Sequence, residues 1–379
     1  VKFYGLLLTF LAGSVSHAFP DMVRHGYLQC VTCHVSVTGG NLLNSYGRSI
    51  SKELLSQPTL GGKPSLEGDE EALYGFAPAP EWLVYGGDIR LLQTFIESKQ
   101  ASKGRFFVMQ VDLDFAATLI ADRLKAFFSI GRIESRLKEA TAKDFVSSPR
   151  HGLEYVFSDP EASDRLGLRV GRFMPAFGIG FAEHTFVSRG VLGFGPGQER
   201  YAAELSWFNE SYQVTATGVL SQASGNQILH ENGGVLQVAS AVGTDSKVGL
   251  NYYQSRQKTP AGLEFDRKIL GAFTHWAFTK EWYALWDLAR PQGADKKWGL
   301  VSTFKFGHEF HQGLHLLGVH EFANLNMEQT DPRFEAYSIG AQWFPRPHWD
   351  FLGYYRKERT TALNNDFQDA VWLIGHFYL

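Results

Sequence analysis

From residue 82 onward, apolar and polar residues alternate with a period of two. Phe107, Met109, Val111, Leu113, Phe115, Ala117 and Leu119 fall on one face of an extended chain, and Gln110, Asp112, Asp114 and Thr118 on the other. Leu124, Ala126, Phe128 and Ile130 repeat the pattern against Lys125 and Ser129; Tyr212, Val214, Ala216 and Leu220 repeat it against Gln213, Thr215 and Thr217. Successive side chains of an extended chain point to opposite faces, so this period marks strands with one apolar and one polar side. Such segments recur to the last residue and predict roughly 16 strands, an even number as bacterial barrels require.

The connections sharpen that reading. The stretches 97–104, 135–150, 175–199, 222–233 and 257–266 are long, whereas 121–122, 209–210, 244–245 and 279–280 are short. Barrels of the outer membrane have long extracellular loops and short periplasmic turns. The expected fold is therefore all-β, a transmembrane antiparallel barrel over 77–379, with its last strand returning to the side of the N-terminal unit. The final stretch, from Ala370 through Trp372, Phe377 and Tyr378 to Leu379, resembles the C-terminal signal read by barrel-assembly machinery, although such signals end more often in Phe.

Composition agrees. Glycine (39), Phe (30), Tyr (15) and Trp (9) are abundant, as expected of strands with aromatic belts. The net charge of −3 argues against a nucleic-acid partner. No stretch approaches 18 consecutive apolar residues, so no membrane-spanning helix is expected. Residues 1–18 read as a secretory signal, with Lys2 before an apolar run and small residues at Ser16 and Ala18.

The chemistry concentrates in a unit over 19–76. Cys30 and Cys33 are the only cysteines of the chain, and His34 follows the second. This C-x-x-C-H pattern is that of covalent c-type haem. Two thiols three residues apart can each join one vinyl group on the same haem edge, and the adjacent histidine can reach the iron. Cys30 and Cys33 are thus the expected attachment points of one haem c, and His34 its proximal ligand. A thioredoxin-type disulfide would want a βαβ context, and a zinc site a second ligand pair; neither surrounds the motif. The sixth iron ligand is expected from His25, with Met22, a lumenal histidine of the barrel or a five-coordinate iron as alternatives. Downstream, Leu42, Tyr46, Ile50 and Leu54 fall on one side of a short amphipathic helix within 41–55, able to cover a haem face or to pack on a neighbour. The stretch 57–80 reads as a linker.

Other candidates carry less. Residues 171–180 resemble, over about ten residues, a segment of phosphate-selective porins in which a glycine-rich strand end leads into an inward loop. That resemblance makes Arg172 or Arg189 an anion-selecting group, against the alternative of an ordinary surface loop. His308 and His311 have metal-like spacing but no third ligand fixed by sequence. No nucleophile-elbow, zincin, phosphate-loop or dinucleotide fingerprint occurs, and the reading is of a protein that is not an enzyme.

Taken together, the C-x-x-C-H unit, the sequence Gly39-Gly40-Asn41-Leu42-Leu43-Asn44-Ser45-Tyr46-Gly47-Arg48 and the barrel resemble a cytochrome–porin fusion of a Gram-negative outer membrane. The resemblance implies electron transfer at or across that membrane, with the haem unit on the periplasmic side. A periplasmic or extracellular multihaem cytochrome is the implied partner, since one haem cannot bridge a hydrocarbon band of roughly 25 Å. The competing expectation is a diffusion porin, passing small ions or solutes, whose N-terminal unit is a plug or periplasmic anchor.

Overall fold

The computed structural model describes residues 20–379 apart from 37, 38, 40, 41, 61, 62, 65, 67, 98–101, 122, 134–147, 160, 161, 196, 224–229, 260, 330–332 and 361–363. The expected export signal lies outside the described residues. A two-residue hairpin, β1 (Thr59–Leu60) with β2 (Lys63–Pro64), precedes the barrel. The first eight barrel strands are β3 (Leu83–Glu97), β4 (Ser102–Ile120), β5 (Leu124–Ile133), β6 (His151–Val156), β7 (Arg165–Phe173), β8 (Arg200–Phe208), β9 (Tyr212–Ala223) and β10 (His230–Val242). The other eight are β11 (Ser246–Lys258), β12 (Glu264–Ala277), β13 (Trp282–Gln292), β14 (Leu300–His311), β15 (Leu314–Asn324), β16 (Arg333–Trp343), β17 (Trp349–Thr360) and β18 (Asn364–Tyr378).

Each strand pairs antiparallel with its sequence neighbours, and β18 returns to β3 in a register running from Asp369↔Glu97 to Tyr378↔Asp88, closing a sixteen-stranded barrel. Closure leaves no edge strand among the described residues of the barrel, the condition under which strands can cross a membrane. The alternation of the sequence becomes an inside and an outside. Val111, Leu113, Leu205 and Leu250 stand exposed on the outer face, while Asp112, Asp114 and Glu204 are buried on the inner one. Trp343, Trp349, Phe351 and Phe377 pack ring on ring, stacked or tilted, near the short-turn rim, with centroids 4.9–5.9 Å apart, as in an aromatic girdle.

Three expectations need correction. Phe107 and Met109 do not share the outer face of Val111 and Leu113. The β3–β4 register shifts between Arg90 and Leu91, so Arg90 meets Gln110 while Leu91 meets Val108. The extra residue, Met109, is a β-bulge, and beyond it every side chain changes face. Phe106 and Val108 are exposed outside, while Phe107 and Met109 pack on the inner core. The loop alternation is also weaker than expected, because β3, β4, β9, β10, β11 and β12 extend into stretches read as loops. The connections 134–150 and 174–199 remain long. The helix expected within 41–55 is a single α-turn pair, α1 (Ser45–Ile50), continued as a wider π-turn over Ser51–Leu55. Leu42 precedes it and Tyr46 is exposed, so Leu55 rather than Tyr46 makes the buried contact.

The barrel interior is filled rather than open at mid-height. The connection 174–199 folds inward and carries α2 (Val187–Leu192). Phe177, Ile179, Phe181, Phe186, Leu192 and Phe194 pack against inward side chains of β11–β18, among them Tyr253, Ile269, Phe273, Leu317 and Trp372. Phe177 stacks on Phe194 at 4.5 Å, and Phe194 meets Tyr253 edge-on at 5.6 Å. Each such side chain contributes roughly 1.5–3 kcal/mol on full burial, which holds the loop inside. Polar anchors fix its position: Glu183 pairs with Lys305 at 2.7 Å, Ser188 bonds Thr303 at 2.9 Å, and the Val187 amide donates to Glu321 at 2.6 Å.

Candidate functional site

The residues Cys30–Thr32 form a 3₁₀ turn, in which the amides of Cys33 and His34 both donate to the Cys30 carbonyl, at 3.2 and 3.0 Å. The downstream sequence clamps this turn. Asn44 caps α1 through its side-chain oxygen, which accepts from the Gly47 amide at 2.8 Å. Its side-chain nitrogen reaches back to the Thr32 carbonyl at 2.8 Å, and its own amide donates to the Cys33 carbonyl at 2.9 Å. His34 forms an isolated β-bridge with Leu43. Gly47 has to be glycine, since a Cβ there would run into the Cys33 carbonyl. Asn44 and Gly47 thus position the motif, a role the sequence signals only by an N-cap residue three before a glycine.

This unit sits in the short-turn mouth of the barrel. Arg24 pairs with Glu309 at 2.5 Å and donates to the Lys280 carbonyl. Gln29 donates to the Asn209 carbonyl at 2.5 Å, Lys247 to the Leu28 carbonyl at 2.9 Å, and Arg169 to Ser36 at 2.6 Å. Ser51 bonds Tyr378 at 2.8 Å, and the Gln57 amide donates to the Phe344 carbonyl at 2.9 Å. Met22, Tyr27 and Leu55 join Phe344 in a small apolar cluster. These contacts reach from β7 around to β18, so the unit lies across the mouth.

Between this unit and the inward loop lies a chamber with about 1840 Å³ of atom-free space, part of it open to solvent. Its floor includes Val23, Leu28, Cys30 and Gly39, and its roof includes Met174, Phe177 and Phe181. Lys125, Arg169, Lys247 and His275 line its wall. Cys30 borders this space. Cys33 is fully buried and His34 nearly so, both outside the lining, and the two thiols are not joined in a disulfide. Burial pushes the Cys33 thiol up to about 12 and raises that of Cys30 as well, so both are protonated at neutral pH. Gly39, at φ +78°, leaves room above the Cys30 sulfur; a Cβ would stand 3.2 Å from that atom and 3.8 Å from the His34 ring.

A haem c is tested against this geometry through that cradle. The turn brings Cys30 and His34 to one glycine-lined surface, and Cys30 opens on a chamber walled by aromatic rings with cations at its rim, which suits an apolar ring bearing carboxylates. Cys33 would have to turn its sulfur out from beneath α1. Cys30 and the Gly39 cradle suit such a group, whereas Cys33 and His34, both buried outside the chamber lining, do not face it in this arrangement. His25 stands elsewhere, on the rim beside Lys280 and Asp245 and outside the chamber lining; burial and then Arg24 push its imidazole down to about 4.

The other sequence candidates are not brought together. Arg189 donates to the carbonyls of Phe177 and Ile179 at 3.3 and 3.2 Å, bracing the inward loop, while Arg172 donates to the Ser148 carbonyl at 3.2 Å. His308 stacks on Trp282 at 3.8 Å. Pairing along the lumen is what sequence reading missed: Arg169–Glu204 and Arg200–Glu231, both at 2.6 Å, join residues 35 and 31 positions apart.

The fold defines the class as a sixteen-stranded barrel of the outer-membrane type. Among solved structures, the chain is similar to the outer-membrane protein OmpT of Vibrio cholerae, at 11% identity and a TM-score of 0.57 over 80% of this chain and 99% of that one. It is also similar to the outer membrane channel DcaP of Acinetobacter baumannii, at 10% identity and a TM-score of 0.54 over 78% and 97%. At such identities the likeness is one of fold. No protein-family model matches the chain, and no curated protein does.

Proposed function

We propose that this protein is an outer-membrane channel of porin type whose own N-terminal unit closes the periplasmic mouth. The observation that carries the reading is the set of polar bonds from that unit to the mouth, above all the buried Arg24–Glu309 pair. Breaking a buried pair from one side costs about 3–5 kcal/mol. Conductance in planar bilayers tests the proposal. The full chain should conduct weakly, and Arg24→Ala with Lys247→Met should raise the conductance at the same protein density. An unchanged conductance in the double variant would count against a plug.

A second reading is favoured by the 3₁₀ turn at Cys30 and the chamber it borders. On this reading Cys30 and Cys33 carry one covalent haem c, His34 ligates its iron, and the unit moves electrons to a partner such as a multihaem cytochrome. The haem would supply one-electron redox chemistry. The chain's part would be to seat it: Asn44 and Gly47 fix the turn, and Phe127, Phe173 and Phe177 would line its apolar side. Peroxidase staining after denaturing electrophoresis should label the band from a host that matures c-type cytochromes, and Cys30→Ala with Cys33→Ala should remove the label. An unlabelled wild-type band rules this reading out.

A further inference from the structure

The chamber wall carries two opposite charges that face each other without joining. Lys125 on β5 and Glu154 on β6 are direct partners in the strand register, and both line the chamber between the N-terminal unit and the inward loop. Residues so placed have Cβ atoms about 4.5–5.5 Å apart. Among the described residues, neither side chain makes a hydrogen bond or a close ion pair. Glu154 is only 5% exposed. A buried carboxylate is almost always met by a donor, and here that donor is missing while the residue borders open space.

The neighbouring cations are committed elsewhere. Arg169, the register partner of Glu154 on β7, pairs with Glu204 and donates to Ser36, both at 2.6 Å, and lies 3.8 Å over the Phe173 ring. Arg150 bridges Asp112 and Asp114, at 2.7 and 3.2 Å. Lys247 donates to the Leu28 carbonyl and to the Gln213 side chain, at 2.9 and 2.8 Å. Lys125 is thus the free ammonium beside the free carboxylate. Apolar surface adjoins them: Phe127 follows Lys125 by two residues on the same face of β5, its ring against Gly152, and Phe173 lines the same space.

We propose that the chamber binds an apolar α-amino acid. Glu154 accepts from its ammonium, Lys125 donates to its carboxylate, and Phe127 and Phe173 take up its side chain. An α-amino acid carries both charges on one carbon, which matches two opposite charges at facing positions of adjacent strands. A simple organic anion would leave Glu154 unmet and repelled, and an amine would leave Lys125 so. The amino acid would be a solute of the proposed channel, so this assignment deepens that reading and rests on it.

Equilibrium dialysis of radiolabelled L-phenylalanine tests the site, on the full chain folded in detergent and made in a host without c-type cytochrome maturation. Wild type should bind saturably, with 3-phenylpropionate and phenethylamine, which each lack one charge, competing about 10-fold less well. Glu154→Gln should weaken L-phenylalanine by about 10-fold and leave 3-phenylpropionate no weaker. Lys125→Met should weaken L-phenylalanine similarly and leave phenethylamine no weaker. Two residues that only support the wall would not produce this crossed pattern. Heat-shifted migration on gels identifies variants that have not folded. Absence of saturable binding to wild type, 3-phenylpropionate binding as tightly as L-phenylalanine, or wild-type selectivity kept in both variants overturns the proposal. Conductance plays no part in this readout, so the plug keeps its own separate test.

Discussion

A glycine and an asparagine decide whether the cysteine motif is held or loose. Asn44 ties α1 to the carbonyl of Thr32, and Gly47 lets that helix lie directly on the Cys33 carbonyl. Gly47→Ala should therefore push α1 off the turn and uncover Cys33. In protein made without haem maturation, a maleimide reagent should modify Cys33 slowly in wild type, where burial keeps the thiol protonated, and much faster in Gly47→Ala. Equal labelling of the two would show that α1 does not cover the sulfur. The cysteine spacing was legible in the sequence because it is local. The clamp was not, because a bond from residue 44 to residue 32 depends on how the chain turns between them.

The strands were the most legible elements, because period-two alternation is the same signal whether read in sequence or in space. The bulge at Met109 marks where that legibility ended. Sequence alternation runs on unbroken through Phe107, Met109 and Val111, and only pairing with β3 reveals the skipped partner. The faces make a direct prediction. Val108→Arg and Leu113→Arg place a cation toward lipid and should each cost about 2–4 kcal/mol near mid-depth. The assembled, heat-modifiable band should fall in both. Phe107→Gln, which faces the lumen, should leave assembly largely intact. Loss of assembly in Phe107→Gln with tolerance of Val108→Arg would reverse the face assignment above the bulge. The extension of strands into stretches read as loops has a simple cause: neighbouring strands supply hydrogen-bond partners to polar sequence that has no intrinsic strand signal.

At the scale of the whole molecule, two parts of the chain lie within the barrel wall, the N-terminal unit in one mouth and the inward loop at mid-height; the plug proposed above is the first of them. His25 couples the first closure to pH. Docked, its imidazole is held near 4 by burial and by Arg24 and Lys280, with Asp245 and Glu281 opposing; free, its ordinary value is 6.5. The undocked state therefore binds the proton more readily between these values. Docking is at full strength above about pH 6.5 and weakens as the pH falls toward 4. Conductance should rise over that window in wild type, and His25→Gln should flatten the rise. A profile unaltered by His25→Gln would assign the pH response to another group.

The sequence by itself determined the barrel, the approximate number of its strands, the faces of most of them and the location of the one motif with distinctive chemistry. All of these depend on residues a few positions apart, where backbone geometry fixes the relation. Tertiary structure alone decided which way residues 174–199 turn, that the N-terminal unit lies in the mouth, and that Lys125 comes to face Glu154. Each joins segments far apart in sequence. Their apposition follows from barrel closure and from the burial of Phe177, Ile179 and Phe194, neither of which leaves a periodic signal in the chain.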